Sequence, residues 1–299
     1  MPLEILVPFW GDLGVLQQTV RSVLAQDDDD WVLTVVDDAY PDPAVGDWFA
    51  TLDDPRVTYV RNEVNLGITG NFRRCAQLAQ HERVVMLGCD DLLLPNYVRV
   101  VSRAHREVPD ATIIQPGVQV VDGAGEPVRT LVDDVKQRLL MPRGRGRRLV
   151  QGEPLAASLL TGNWMYWPSL AIRRDALQSH DFRDDLPIIQ DLALVIDIVA
   201  DGGSLLVEPG VCFAYRRHDA SASMEQLADG RRFRGEREYF RQAAAQMDRV
   251  GWPRAARAAR AHLTSRAHAL TLLPRAVAAR DGAVVRTLLE HAATRVPRG

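Results

Sequence analysis

Two pairs of neighbouring aspartates follow apolar runs early in the chain. Asp37 and Asp38 come directly after a β-branched run, and Asp90 and Asp91 follow a second apolar run after one glycine and one cysteine. Adjacent carboxylates repel each other and are costly to bury, and a divalent cation bound with substrate phosphate would remove that cost at Asp90 and Asp91. The alternative for this pair is a helix N-cap ahead of Pro95. Asp37 and Asp38 are expected either to accept hydrogen bonds from a nucleobase or ribose, or to form a turn.

Three further groups of residues could do chemistry in the second half of the chain. Asp191 opens a predicted helix, where a carboxylate serves either as a cap or as a general base for an acceptor hydroxyl. Arg216 and His218 lie in a predicted loop that suits a diphosphate, with an ordinary polar surface loop as the alternative. Trp164 and Tyr166 belong to an aromatic-dense stretch that either borders an acceptor cleft or packs in the core.

The elements predicted in the first part of the chain bring both acidic pairs to one place. Short apolar strands alternate with amphipathic helices: strands at Glu4–Pro8, Val32–Val36, Val57–Val60 and Arg83–Leu87, helices at Leu13–Ala25 and Thr69–Ala79, and a further helix opened by Pro95. This alternation predicts a mainly parallel sheet with helices on both faces, which is a Rossmann-like α/β fold. Ligands collect at the carboxyl ends of such strands, and both acidic pairs follow those ends.

The rest of the chain is expected to complete this domain and add helices. We predict strands at Thr112–Ile114, Val118–Val121, Ser169–Arg173, Ser204–Val207 and Val211–Tyr215, and helices at Pro154–Leu160 and Asp191–Ala200. Beyond residue 223 the sequence is rich in Ala and Arg and is predicted to be helical. We therefore predict a catalytic domain over 1–223, with a donor half over 1–110 and an acceptor half over 111–223, followed by a helical region over 224–299.

Composition excludes several classes of protein. The 299 residues are 46% hydrophobic, which excludes long disorder and a disulfide-stapled miniprotein. No apolar run approaches the roughly 20 residues of a membrane span, and no signal peptide is predicted at the N-terminus. Three scattered cysteines suit a reducing compartment. We therefore expect a cytoplasmic protein, and the alternative is peripheral association with the inner face of the membrane.

Charge is distributed unevenly along the chain. From Glu225 onward there are 15 Arg and 7 acidic residues, whereas the chain as a whole has a net charge of −3. A basic helical tail either binds an anionic partner or is a solvated face. Its leucines and valines are expected to pack on the catalytic domain or to form a homodimer, and no nucleic-acid partner is expected.

The order of these motifs resembles that of the family 2 glycosyltransferases of GT-A fold, over about Leu3 to Ser223. Six short motifs occur in the family's order: Pro8-Phe9-Trp10, Val36-Asp37-Asp38, Asn65-Leu66-Gly67, Asp90-Asp91 with Pro95, Gln190-Asp191, and Tyr215-Arg216-Arg217-His218 with Ser221 and Ser223. Each motif is short, and the order of all six makes the resemblance specific.

The resemblance implies a role for each matching residue. A nucleoside-diphosphate sugar would be bound by Pro8, Phe9, Asp37, Asp38, Asn65, Gly67, Asp90, Arg216 and His218. Asp91, with Asp90, would hold Mg²⁺ or Mn²⁺, and Asp191 would be the catalytic base. Three departures stand out. Gly88 and Cys89 occupy positions where family members often carry an additional acid, Gln190 replaces the usual Glu, and Trp10 occupies a position where a small polar residue is commoner.

The reaction implied is transfer of a sugar from a UDP or dTDP donor to a hydroxyl acceptor, with inversion at the anomeric carbon. The acceptor would be a glycan, a lipid-linked glycan or a natural product. The basic loop Arg143–Arg148 is interpreted either as a lid or as a solvated loop. One rival class, the sugar-phosphate nucleotidyltransferases, needs a glycine-rich loop that Phe9-Trp10-Gly11-Asp12 does not supply. The other rival is a non-catalytic relative that binds a nucleotide sugar or a protein partner.

Overall fold

The computed structural model describes residues 2–142, 146–187, 189–217 and 231–294. The first part of the chain alternates strands and helices as predicted, and its elements are β1 (Leu3–Phe9), α1 (Leu13–Leu24), β2 (Trp31–Asp37), α2 (Ala44–Phe49), β3 (Val57–Arg61), α3 (Gly67–Leu78), β4 (Arg83–Met86), β5 (Leu92–Leu93) and α4 (Tyr97–Glu107). Helix α4 begins two residues after Pro95, and its N-cap is Asn96. Asp90 and Asp91 precede the short strand β5 instead, so the N-cap alternative for this pair is wrong.

The remaining elements extend the sheet and add helices. They are β6 (Ile113–Val121), α5 (Leu131–Val135) continued by a π-helical turn (Lys136–Leu140), β7 (Arg148–Gln151), α6 (Gly152–Thr161), a 3₁₀ turn (Trp167–Ser169), β8 (Ala171–Arg173), α7 (Arg174–Ser179), α8 (Gln190–Ala200), β9 (Ser204–Arg216), α9 (Arg231–Arg249), α10 (Pro253–Ala261), α11 (Leu263–Ala278) and α12 (Gly282–Ala293).

The described strands form one nine-stranded sheet in the order β3-β2-β1-β4-β8-β6-β9-β5, with β7 paired to β9. Strands β1 to β4 are parallel to one another, whereas β8 runs antiparallel to both of its neighbours. Strands β6 and β9 are parallel, and β5 and β7 lie antiparallel to β9. The first half of the sheet is therefore wholly parallel and the second half is mixed.

Strands β6 and β9 are each longer than predicted. The sequence breaks at Pro116-Gly117 and at Pro209-Gly210 suggested two strands in each region, yet each region forms one strand with a register shift near Gly117. A side chain at position 117 would place its Cβ 2.8 Å from the Pro209 carbonyl oxygen. The paired breaks therefore form an irregularity shared by two neighbouring strands, with glycine allowing close backbone approach.

Helices cover both faces of the sheet, as predicted. Alternate residues of β1 point to opposite sides: Ile5 and Val7 pack in one buried cluster with α1 and α4, and Leu6 packs in the other with α6 and α8. The strands are thus buried on both faces, which explains their continuous apolar runs.

The C-terminal helices divide into two pairs. Tyr239, Phe240 and Met247 of α9, together with alanines of α10, are buried in the same cluster as α6 and α8. Helices α11 and α12 pack on Phe233 through a smaller cluster that contains Leu288. The helical tail is confirmed, and its first two helices are part of the main core. The domain boundary predicted at residue 223 lies outside the described residues.

Exposed apolar side chains remain on α11, where Leu263, Leu270 and Val277 are solvent-accessible. In the described part of the chain, no helix has the length and apolar character needed to cross a bilayer.

Candidate functional site

The carboxyl ends of β1, β2 and β4 lie at one edge of the sheet, which we call the carboxyl edge. Phe9 at the end of β1 is paired in register with Asp37 at the end of β2. Asp91, which follows β4, accepts a hydrogen bond from the backbone N–H of Arg216 at 2.8 Å. The structure therefore brings Phe9, the two acidic pairs and the end of β9 to the same edge.

Asp37 is completely buried and has several intramolecular partners. Its carboxylate accepts hydrogen bonds from the backbone N–H of Tyr40 at 2.7 Å, from Arg61 Nη1 at 2.8 Å and from the Tyr59 hydroxyl. The hydrogen bond from Tyr40 closes the turn after β2. Asp37 therefore forms a turn, as the alternative prediction for this residue stated. The pKa of Tyr59 is raised to about 12 by burial and by the bond to Asp37.

Asp38 holds the Asn65-Leu66-Gly67 segment in place. Its carboxylate accepts hydrogen bonds from the backbone N–H groups of Leu66 at 2.8 Å and Gly67 at 2.9 Å, and from Asn62 Nδ2 at 2.9 Å. Gly67 has φ of 71°, a left-handed conformation that glycine adopts without strain. Asp38 thereby positions the start of α3, and nucleobase contacts from Asp37, Asp38, Asn65 and Gly67 stay predictions.

Three aromatic side chains lie beside this turn and contact one another. Phe9 is buried and meets Tyr40 edge-on, with ring centroids 5.4 Å apart, while Trp10 meets the same tyrosine at 5.2 Å and is half-exposed. Pro8 is half-buried at the same strand end. Tyr40 did not emerge from the sequence analysis, because a lone tyrosine in a Pro-rich turn has no distinguishing pattern.

Asp90 and Asp91 converge over Gly88. A Cβ at position 88 would lie 2.6 Å from Asp91 Oδ2 and 2.9 Å from Asp90 Oδ1. Asp91 is buried, and burial together with the charge of Asp90 raises the pKa of Asp91 well above its ordinary value. A side chain at position 88 would therefore have to displace at least one of these two carboxylates.

The two carboxylates fit a divalent cation that takes its remaining ligands from substrate and water. A cation between them would offset both their repulsion and the burial of Asp91. Among the described residues, no group of three or more His, Cys, Asp or Glu side chains is arranged to hold a metal ion.

Gly88→Ala is expected to displace one or both carboxylates, because the added methyl group would occupy the space into which they converge. We expect metal-dependent nucleotide binding to weaken by about tenfold or more, measured by calorimetry. Gly282→Ala, in helix α12, is the matched control, since an added Cβ there meets no atom within 4 Å. Unchanged binding in Gly88→Ala would contradict the role given to the converging pair.

Arg216 is buried at the end of β9 and is held by two neighbours. Its Nη1 donates to the Gly123 carbonyl oxygen at 3.1 Å and its Nη2 to Gln18 Oε1 at 2.9 Å. Its Nε is buried and has no hydrogen-bond partner among the described residues. His218, the other predicted phosphate ligand, lies outside the described residues.

Arg217 anchors the same strand end to helix α5. Its Nε and Nη2 form a bidentate ion pair with Asp133 at 2.6 Å and 2.9 Å. Asp133 also accepts from the Tyr166 hydroxyl at 2.9 Å and from the Thr130 hydroxyl. Burial alone would raise the pKa of Asp133, and the hydrogen bonds from Arg217 and Thr130 outweigh it and lower that pKa. Sequence reasoning missed Asp133, because this Asp-Asp pair lies outside every strand and helix that was predicted and carries no specific signal.

The two predicted acceptor residues are both buried. Trp164 lies in the core cluster with its Nε1 donating to Ser158 Oγ at 3.1 Å. Tyr166 is buried among Asp133, Gln137 and Tyr215. Trp164 therefore packs in the core, which was the alternative to a place in the acceptor cleft. The Tyr166 hydroxyl donates to Asp133, which also pairs with Arg217.

Asp191 lies in the first turn of α8 and is half-buried. The N-cap of this helix is Ile189, and no side-chain cap hydrogen bond forms within the described residues, so the capping alternative is wrong. The neighbouring Gln190 is buried, and its Oε1 has no described partner. Burial raises the pKa of Tyr239 on α9, and the negative charge of the nearby Asp191 adds to that rise.

The predicted basic loop is partly described. Arg147 forms ion pairs with Glu107 and Glu208, and Arg148 begins strand β7. Residues 143–145 lie outside the described residues. The described end of the loop is thus fixed to the sheet.

Comparisons with known proteins agree with this geometry. Residues 4–178 match the sequence profile of the family described as "Glycosyl transferase family 2". The chain is 25% identical over 248 residues to the "Uncharacterized protein MT1568" of Mycobacterium tuberculosis, covering 77% of this chain and 71% of that protein. It is 30% identical over 106 residues to the "Putative colanic acid biosynthesis glycosyl transferase WcaA" of Escherichia coli, covering 35% of this chain and 38% of that protein. It is 26% identical over 226 residues to the "Succinoglycan biosynthesis protein ExoO" of Rhizobium meliloti, covering 74% and 62%.

Solved structures share the fold. The crystal structure of S. aureus TarS 1–349 superposes with a TM-score of 0.66 at 12% identity, covering 98% of this chain and 81% of that one. The structure of the same protein in complex with UDP-GlcNAc gives a TM-score of 0.65 at 13% identity, covering 97% and 91%. The predicted GT-A-like fold with C-terminal helices is confirmed.

Proposed function

The chain belongs to glycosyl transferase family 2, and we propose that it transfers a sugar from a UDP or dTDP donor to a hydroxyl acceptor with inversion at the anomeric carbon. The observation that carries this proposal is the convergence of Asp90 and Asp91 over Gly88 at the carboxyl edge. Their approach to the end of β9 puts the carboxylates beside the Arg216 backbone N–H group, which donates to Asp91.

Asp91 and Asp90 would hold Mg²⁺ or Mn²⁺. The raised pKa of Asp91 supports this assignment, because a buried carboxylate beside a second one needs a compensating positive charge. The cation, when bound, supplies charge neutralisation for the diphosphate. Arg216 would stabilise the negative charge of the departing nucleoside diphosphate through the positive charge of its guanidinium, which also lowers the pKa of Asp91 against the effect of burial.

The nucleoside would lie against the strand ends of β1 and β2. The half-exposed ring of Trp10 offers an aromatic surface beside the Asp38-held segment that contains Asn65 and Gly67, while the buried Phe9 packs on Tyr40 behind it. Backbone groups and the Asn65 side chain in that segment suit the polar edge of a base. The UDP and UDP-GlcNAc complexes of the structurally similar TarS support a uridine donor.

Asp191 would act as the general base. It is half-buried in the first turn of α8, whose N-terminus favours the ionised carboxylate. The ionised form takes the proton of the acceptor hydroxyl as its oxygen attacks the anomeric carbon, and the bond to the diphosphate breaks on the opposite face. The names of the relatives in colanic acid and succinoglycan biosynthesis support a bacterial glycan as the acceptor.

Calorimetric binding of UDP, dTDP, GDP and ADP, each with Mn²⁺ and with a chelator, tests the donor site. We expect one pyrimidine diphosphate to bind in a metal-dependent way and Asp91→Asn to weaken that binding by about tenfold or more. Asparagine preserves the shape of the side chain and can still accept from the Arg216 N–H group. The matched control is Asp29→Asn, an exposed aspartate at the opposite end of β2. Absence of binding by all four nucleotides would overturn the proposal in favour of a non-catalytic relative.

A further inference from the structure

Helix α5 and the π-helical turn after it expose an apolar surface and turn a polar one toward the protein. Leu131 is 79% exposed and Leu139 is 68% exposed, and Val132 and Val128 are also exposed. These four residues are called the Leu131 patch. Leu140 packs against the main core, whereas these four residues stay exposed, although a helix on a globular protein normally buries its apolar side chains.

Polar contacts fix this orientation. Asp133 is held by Arg217, Tyr166 and Thr130, and Gln137 Nε2 donates to the Val118 carbonyl oxygen at 3.1 Å and to the Tyr166 hydroxyl at 3.2 Å. Rotating the helix to bury its leucines would break the bidentate ion pair and leave the buried Asp133 carboxylate unpaired, which costs several kilocalories per mole. The exposed leucines are therefore kept in place by the fold.

The surrounding sequence is basic. The described residues 128–142 and 146–148 contain five Arg and Lys and two Asp, a net charge of +3 in a chain whose overall net charge is −3. One of the five, Arg147, is paired with Glu107 and Glu208. Arg129 is exposed beside the patch, and Lys136 lies over the ring of Tyr166. Apolar residues flanked by positive charge fit the interface of an anionic bilayer. A second copy of the same basic patch would meet like charges and repel it.

We propose that the Leu131 patch docks this protein on the surface of an anionic membrane, with Leu131 and Leu139 entering the headgroup region and Arg129 contacting lipid phosphates. Asp133 joins the patch to Arg217, which adjoins the Arg216 N–H group on Asp91. Docking would hold the carboxyl edge close to the lipid, where an acceptor carried on a lipid is within reach. The docking itself does not depend on the proposed catalysis.

Co-sedimentation with vesicles tests the docking without substrate or nucleotide. The full chain is mixed with vesicles of phosphatidylcholine alone or of equimolar phosphatidylcholine and phosphatidylglycerol. We expect binding only to the anionic vesicles, weakened by salt. Leu131→Asp and Leu139→Asp should each lower the partition coefficient by about tenfold, and Arg129→Glu should lower it severalfold.

Matched controls separate docking from folding and from the helical tail. Leu270→Asp replaces a leucine on α11 that is also exposed, and it should leave binding unchanged. Nucleotide binding by the Leu131 and Leu139 variants should equal that of the wild type, which shows that the donor site is intact. Equal binding of both vesicle types, a loss of binding in Leu270→Asp alone, or concentration-dependent dimerisation that the Leu131 variant abolishes would overturn the proposal.

Discussion

Replacing Asp191 by asparagine is expected to lower kcat by about 10²- to 10⁴-fold, the usual contribution of a general base. The amide has nearly the same shape but cannot take the proton of the acceptor hydroxyl. The donor is expected to bind as in the wild type, because Asp90, Asp91 and Arg216 lie on other elements. Steady-state rates with the donor identified by calorimetry, together with the nucleotide Kd, separate the two effects.

Asp201→Asn is the matched control for this variant. Asp201 caps the opposite end of α8, where its exposed carboxylate contacts His180 Nε2 at 2.9 Å. Its removal should leave kcat within about twofold of the wild type, since surface pairs of this kind contribute little to stability. A kcat of Asp191→Asn above about a tenth of the wild-type value would contradict the role of Asp191 as base.

The carboxyl edge was accessible to prediction because local chemistry and topology coincide there. Each apolar strand ends where a polar residue begins, as at Val36-Asp37, and parallel strands place their carboxyl ends together. A divalent-cation site was one of the two alternatives that the chemistry of Asp90 and Asp91 offered, whereas their close approach to Gly88 appears only in three dimensions. A glycine before an acidic pair is too common to signal close approach.

Long-range partners were beyond the sequence. Asp38 binds backbone groups 28 and 29 residues away, and Asp133 pairs with Arg217 across 84 residues. A single sequence does not state which of many Arg and Asp residues will meet. The burial of Trp164 has the same origin, because aromatic density indicates a large apolar surface without specifying whether core or ligand covers it.

The integration of α9 and α10 into the main core follows from a small number of residues. The tail is rich in Ala and Arg, a composition that favours helices without indicating where they pack. Tyr239, Phe240 and Met247 lie on one face of α9 and reach the cluster around α8. Two buried histidines lie farther along the tail, and their burial is expected to make the free energy of unfolding depend on pH.

His262 and His291 are completely buried between the C-terminal helices, with ring centroids 5.4 Å apart. His291 Nε2 lies 2.7 Å from Ser265 Oγ, and Ser265 in turn donates to the buried Glu236 carboxylate. Burial lowers the pKa of His291 to about 4 from its ordinary value of 6.5. Glu236 opposes this shift, whereas His262 and Arg237 add to it.

We expect the free energy of unfolding to fall as pH falls from 6.5 to about 4, by roughly 3 kcal/mol from His291 alone. The sign follows from proton binding: in this interval the unfolded state holds a proton on His291 that the folded state does not, so acid favours unfolding. Above pH 6.5 His291 is neutral in both the folded and the unfolded state, so it no longer makes the free energy of unfolding depend on pH. Below the folded pKa both states are protonated, and the loss is complete.

Urea denaturation at intervals between pH 7.5 and pH 4 measures this dependence, with His291→Gln as the test variant. Glutamine stays neutral and can still hydrogen-bond Ser265, so its unfolding free energy should fall less steeply below pH 6.5 than that of the wild type. Carboxylates remote from His291 contribute equally to both proteins and cancel in the difference, so the difference reports His291 together with its neighbour Glu236. His81→Gln, at a half-buried position between α3 and β4, should keep the wild-type slope. Equal slopes for wild type and His291→Gln would show that burial of this imidazole does not limit acid stability, and would place the sensitivity among the carboxylates instead.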